Sequence, residues 1–178
     1  MNIGNIEKDN VFADSSEIEA AVERLAVRIR QDYKNKKILL IGVLKGSFIF
    51  LADLARKMEI DTEIDFIGLS SYGKNRISSG SVRLYYEPKI EVAGRDVVLV
   101  EDIVDTGLST AFAINYLNNR KAKSIKLCAL LDKKCRREVE VNIDYTGFIA
   151  PDRFLVGYGL DYNESYRNLR NIIILGEE

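Results

Sequence analysis

The sequence contains no histidine and only two cysteines, Cys128 and Cys135. Those shortages remove whole classes of chemistry. Without histidine there is no Ser-His-Asp or Cys-His nucleophile system. Two cysteines alone cannot complete the four-ligand shell of an ordinary zinc site. Acid–base work therefore falls to carboxylates, lysines or tyrosines. Cys128 lies in an apolar run and reads as a small buried hydrophobe, while Cys135 lies among charges and reads as exposed, so no disulfide is expected. An excess of one charge is also missing: 26 Lys and Arg stand against 27 Asp and Glu, a formal net charge of −1. A dedicated nucleic-acid binder needs a basic excess to displace counterions, so nucleic acid is not the expected partner. No apolar run approaches the roughly 20 residues that span a bilayer. No basic start leads into an apolar stretch, so no signal peptide is expected and the cytoplasm is the default compartment. Nothing marks a proline-rich linker, an internal repeat or a low-complexity segment.

What is present is an ordinary globular composition of 178 residues, 47% hydrophobic and 30% charged, enough for one domain with a sizeable core. Ser16 to Tyr33 predicts a helix, because Ile18, Val22, Leu25 and Ile29 fall on one face. Ser16 and Glu19 form a capping-box pattern at its start. Lys37 to Leu44 is a continuous apolar run, suited to a strand covered on both faces. A helix follows from Ser47, a candidate N-cap, to Met58. Further strands are expected over Thr62–Leu69, Val82–Tyr86, Asp96–Glu101 and Ser124–Leu131, with a polar loop over Ser70–Ser81. A helix is expected from about Leu108 to Asn119. Three short β-like stretches lie near Tyr145, Leu155 and Ile173. Strands alternating with helices imply an α/β architecture with a parallel sheet. Ligands in such sheets bind at the carboxyl ends of the strands. Here those ends are Leu44-Lys45-Gly46, Leu69-Ser70-Ser71, Glu101-Asp102 and Leu131-Asp132-Lys133.

The richest segment runs from Val97 to Thr110. A buried strand ends in Glu101 and Asp102, Asp105 follows, and Thr106, Gly107, Ser109 and Thr110 open a helix. Unpaired N–H groups and the partial positive charge at a helix start suit a phosphate. The hydroxyls of Thr106, Ser109 and Thr110 add donors, and Gly107 lets the backbone approach closely. Carboxylates beside a phosphate cradle make sense if a sugar and a metal are also bound. They accept hydrogen bonds from ribose hydroxyls and offer the oxygen ligands that Mg²⁺ prefers. An acidic pair alone reads as a solvated turn; the whole series fits a ribose 5-phosphate.

Val100 to Thr110 closely resembles the signature of type I phosphoribosyltransferases that binds phosphoribosyl pyrophosphate (PRPP). Leu44-Lys45-Gly46-Ser47, Ser71-Tyr72, Lys133 and the stretch from Pro151 to Arg167 narrow the resemblance to the hypoxanthine-guanine phosphoribosyltransferases. It runs from about residue 37 to the end with its motifs in matching order. It implies the type I fold: a central, mostly parallel sheet flanked by helices, with a small hood from the chain ends. The core would span about 37–150, and the hood would combine the N-terminal arm with about 151–178.

The resemblance also implies roles. Glu101 and Asp102 would hold the ribose hydroxyls and Mg²⁺. Asp105 would face purine N7 as the general acid–base, a task open to a carboxylate once burial favours its neutral form. Asp105, Thr106, Gly107, Leu108, Ser109 and Thr110 would bind the 5′-phosphate. Lys45 and Gly46 would meet pyrophosphate through backbone groups, with a cis peptide before Lys45, and Arg167 would pair with its oxygens. Ser71 and Tyr72, with Gly73 to Gly80, would close over the site. Lys133 would donate to the 6-oxo group, Phe154 would stack on the purine and Leu155 would offer it main chain. Asp161 would border the purine and ligate the Mg²⁺ that carries pyrophosphate. Homodimers or homotetramers are expected.

Taken without the resemblance, Lys133 reads as solvated among Lys134, Arg136 and Arg137, Phe154 as a core aromatic, and Asp161 and Arg167 as surface charges. Gly68 to Asn75 falls one residue short of a P-loop, since Asn75 stands where Ser or Thr would hold Mg²⁺. A PRPP-sensing regulator on the same fold is the alternative. The roughly 36 residues before the first expected strand leave no room for a winged-helix domain.

Overall fold

The computed structural model describes residues 10–71 and 82–176. Two sheets organise them. Six strands form the main one: β2 (Ile38–Leu44), β3 (Thr62–Ser71), β4 (Val82–Tyr86), β5 (Asp96–Val104), β6 (Ser124–Asp132) and β7 (Tyr145–Ile149), in the order β4-β3-β2-β5-β6-β7. Only the β3–β4 pairing is antiparallel. The smaller sheet joins the chain ends: β1 (Val11–Ala13) and β8 (Phe154–Val156) flank β9 (Ile172–Leu175), all antiparallel. A mostly parallel sheet with a separate cap of terminal strands is thus present, as the resemblance implies.

The central strands are apolar on both faces because helices cover both. Helix α1 (Ser15–Asp32) and helix α2 (Phe48–Arg56) pack with Ile38, Leu40, Val98, Val100 and Cys128 into one core. Helix α3 (Leu108–Asn119) packs through Ala113 and Leu117 onto Leu39, Ile41, Val97, Leu99 and Ala129 on the opposite face. Cys128 is buried, Cys135 is exposed, and both are free. Among the described residues no helix is long and apolar enough to cross a membrane.

Several local expectations change. The first helix is capped by Asp14 and Glu17, not Ser16 and Glu19: Asp14 accepts from the Ser16 and Glu17 amides, and Glu17 reaches back to the Asp14 amide. An aspartate two residues earlier outcompetes the serine, whose hydroxyl donates to that same carboxylate. Ser47 is not a side-chain cap either. It is helical in backbone and fully buried, and its hydroxyl donates to the Val43 carbonyl at 2.7 Å. Strand β3 continues through Ser70 and Ser71, where a loop is expected, because the β4 ladder pairs with them. The rest of that expected loop, including Tyr72 and Gly73 to Gly80, lies outside the described residues. Strand β5 continues to Val104, two residues past the acidic pair, so Glu101 and Asp102 lie within the ladder. Tyr145 belongs to the main sheet rather than to a tail.

Candidate active site

Strand order places the site. β2 leads by way of α2 to β3 on one side, while β5, beside β2 on the other, leads by way of α3 to β6. The sequence order reverses between β2 and β5, and the loops after these two strands diverge above a crevice. A cavity of about 320 Å³ lies there, lined by Leu44, Gly46, Leu69, Glu101, Asp102, Asp105, Thr106, Gly107, Ser109 and Thr110 among others. A hollow of about 570 Å³ between α1, α2 and residues 168–170 contains neither the acidic pair nor the glycine turn. The chemistry therefore points to the smaller cavity.

After β2 the Leu44–Lys45 peptide is cis. Gly46 then passes so close to Asp102 that a Cβ would fall 1.8 Å from its carboxylate. After β5, Asp105 and Thr106 turn into Gly107, whose φ of +85° is left-handed and favours glycine. A Cβ there would fall 2.3 Å from the Val139 carbonyl. Helix α3 starts at Leu108, and the Leu108 amide donates to the Thr106 hydroxyl at 3.4 Å. The Thr110 hydroxyl donates to Glu101 at 3.1 Å.

Glu101 is 4% exposed. Burial, and then the Asp102 charge, push its carboxyl well above the ordinary range, partly offset by the Thr110 hydroxyl. Burial likewise pushes Asp102 up to about 6, against backbone hydrogen bonds and the pull of Arg167. Two carboxylates so placed gain from a cation or from hydroxyl donors. Asp105 is less buried than expected, its side chain 33% exposed with Arg136 at 3.8 Å. Even so, its Oδ1 is buried and has no hydrogen-bond partner among the described residues.

The remaining residues approach from β6 and the smaller sheet. Lys133 is buried, not solvated. Its amide donates to the Val104 carbonyl at 3.0 Å and its Nζ to the Arg153 carbonyl at 3.0 Å. Phe154 is 49% exposed and meets Tyr162 edge to face, and Leu155 is buried. Asp161 accepts from the Glu164 amide and pairs with Arg167 at 2.8 Å. Arg167 also donates to the Gly159 carbonyl, and its Nε is buried without a partner among the described residues. Lys45 reaches Glu164 at 3.0 Å. Lys133, Phe154, Leu155, Asp161 and Arg167 do not line the 320 Å³ cavity itself. Ser71 ends β3, and Tyr72 lies outside the described residues.

Three positions carry more than the sequence discloses. Arg137 and Asp132 form a buried pair at 2.6 Å. Nothing in the run Lys133 to Arg137 separates its buried members from Lys134 and Arg136. Gly159 has φ +102° and sits where a Cβ would fall 2.1 Å from the Gly46 carbonyl, joining the hood to the loop after β2. Its glycine neighbourhood was the available signal.

A left-handed glycine turn beside buried Glu101 and half-buried Asp102, at the switch point of a parallel sheet with a small hood, fits a phosphoribosyltransferase. A family model for the phosphoribosyl transferase domain matches residues 11–163. The chain belongs to the hypoxanthine-guanine phosphoribosyltransferase family. It is 43% identical to the hypoxanthine-guanine phosphoribosyltransferase of Bacillus subtilis over 94% of this chain and 93% of that protein. It is 41% identical to the bifunctional protein TilS/HprT of Listeria monocytogenes over 99% of this chain, which spans 28% of that longer relative. A crystal structure of a Bacillus anthracis hypoxanthine-guanine phosphoribosyltransferase superposes with a TM-score of 0.90 at 40% identity, covering 94% of this chain and 99% of that one.

Proposed function

We propose that the protein transfers the 5-phosphoribosyl group of PRPP to N9 of a 6-oxopurine, giving the nucleotide and pyrophosphate. Hypoxanthine and guanine are the expected bases, and xanthine is a third candidate. The observation that carries this reading is the left-handed Gly107 turn set against Glu101 and Asp102 in one crevice.

In the reaction, the bond from the anomeric carbon to pyrophosphate breaks and a bond to purine N9 forms. The amides of the turn from Asp105 to Thr110 hold the 5′-phosphate. Glu101 and Asp102 accept from the ribose hydroxyls. The buried Asp105 oxygen, without a partner among the described residues, takes the proton that the purine loses at N7. Lys133 donates to the 6-oxo group, Phe154 stacks on the ring through its exposed face, and Leu155 offers main chain. Lys45, Gly46, Ser71, Tyr72 and Arg167 receive pyrophosphate.

Among the described residues no group of three or more Asp, Glu, Cys or His is gathered to cage an ion. That fits Mg²⁺, which commonly keeps water and takes one or two carboxylates plus substrate oxygens. Glu101 and Asp102 are the proposed ligands of a Mg²⁺ at the ribose, and Asp161 of the Mg²⁺ that carries pyrophosphate, which would neutralise charge on the departing group. A homodimer or homotetramer is the expected assembly.

The test measures nucleotide formation from PRPP and Mg²⁺ with hypoxanthine, guanine, xanthine, adenine and uracil. Conversion of a 6-oxopurine, abolished by a chelator and restored by Mg²⁺, is expected. Binding of PRPP without conversion of any base would overturn the enzymatic reading.

A further inference from the structure

Behind the phosphate turn lies a buried charge pair outside every role assigned above. The Asp132 side chain, at the end of β6, is 6% exposed, and that of Arg137 is 7% exposed. The Arg137 guanidinium donates to Asp132 Oδ1 at 2.6 Å, to the Asp105 carbonyl at 2.9 Å and to the Val104 carbonyl at 3.1 Å. One rigid fork thus holds two consecutive carbonyls and is itself anchored to the neighbouring strand. The amides of Glu138 and Val139 hold the next carbonyl, that of Thr106, at 2.9 and 3.0 Å. Residues 137–139 therefore draw three successive carbonyls toward one side.

The consequence follows from peptide planarity. In a trans peptide the N–H points opposite to the C=O it is bonded to. Fixing the carbonyls of Val104, Asp105 and Thr106 toward Arg137 and its neighbours turns the N–H groups of Asp105, Thr106 and Gly107 the other way. That is the arrangement of a backbone nest for an anion. Asp132 adds a second connection. It precedes Lys133, whose own amide donates to the same Val104 carbonyl.

We infer that Arg137 is a positioning residue for the phosphate turn, and that its pair with Asp132 couples that turn to Lys133 on the proposed purine side. The inference rests on the proposed transfer only for its kinetic consequences. A lysine in place of Arg137 keeps the charge but offers a single ammonium where the fork serves three acceptors.

The experiment compares wild type, Arg137→Lys, Arg137→Ala and Asp132→Asn. Calorimetry with ribose 5-phosphate reads the phosphate turn directly, and steady-state kinetics read KM for PRPP, KM for hypoxanthine and kcat. Thermal melts identify folded variants, and Arg137→Lys serves if Arg137→Ala does not fold. Arg137→Lys is expected to weaken ribose 5-phosphate binding and to lower kcat/KM for PRPP by about 10- to 100-fold, the range expected when a binding group is displaced by a fraction of an ångström to one ångström. The KM for hypoxanthine should change less. Added guanidinium should restore part of the Arg137→Ala loss. A folded Arg137→Lys protein that binds ribose 5-phosphate and turns over PRPP within twofold of wild type would overturn the inference. If wild type binds ribose 5-phosphate more tightly than Arg137→Lys but neither forms nucleotide, the transferase reading falls and the positioning role stands.

Discussion

At the scale of single residues the site depends on small clearances and on one free carboxylate oxygen. Asp105 Oδ1 is buried with no partner among the described residues, so the group is available to a substrate atom. Asp105→Asn keeps the size and removes the base. It should slow nucleotide formation by about 10²- to 10⁴-fold with the fold intact; single-turnover rates beside a thermal melt check this. Gly46 is limited by space. A methyl group there would collide with the Asp102 carboxylate. Gly46→Ala is expected to destabilise by about 1–3 kcal/mol, the usual penalty for overpacking. It should also weaken PRPP use, read as a rise in KM together with a lower urea midpoint.

At the scale of elements, α1 is fastened to the main sheet by a polar clasp at its last turn. Tyr145 on β7 donates to Asp32 at 2.6 Å, and Lys126 on β6 donates to the same oxygen at 2.7 Å. Lys126 first, and then Tyr145, hold the Asp32 carboxyl below its ordinary value of 3.8. A depressed carboxylate contributes stability above its unfolded value and loses it as pH falls through its folded value. Tyr145→Phe should therefore destabilise by about 1 kcal/mol at neutral pH, less than the usual value for a charged acceptor because Asp32 stays 44% exposed. The gap between the two proteins should close as the pH drops below 3.8, and urea titrations at several pH values would show whether it does.

At the scale of the whole molecule, the hood and the core meet where two loops nearly touch. Gly159 lies against the Gly46 carbonyl, its amide donates to the Arg167 carbonyl, and Arg167 returns a bond to the Gly159 carbonyl. Lys45 and Glu164 add an ion pair between the same loops. Gly159→Ala would need both space and a left-handed φ for a side chain. A loss of more than about 1 kcal/mol is expected, with a rise in KM for PRPP, because the seam joins Gly46 to the segment carrying Asp161 and Arg167. An unchanged melt and KM would show that the two parts act independently.

How much of this was legible in the sequence depends on the range of the interaction. The apolar runs Ile38–Leu44 and Val97–Val100, the one-faced pattern of α1 and the Thr-Gly-hydroxyl start of α3 are local, and each predicted its element. Strand ends were less legible. β3 and β5 run past the expected boundaries because partner strands continue to pair with them, and local composition carries no record of that ladder. The acidic pair and the glycine turn could be placed together because they lie within ten residues of one another. The sequence by itself determined an α/β sheet, the segment that forms the phosphate turn and the absence of histidine chemistry. Tertiary structure alone decided which charges of the run Lys133–Arg137 are buried, that Thr110 serves Glu101, and that Gly46 touches both Asp102 and Gly159. The physical reason is that burial and clearance are properties of the surroundings, and those surroundings come from strands and loops far away along the chain.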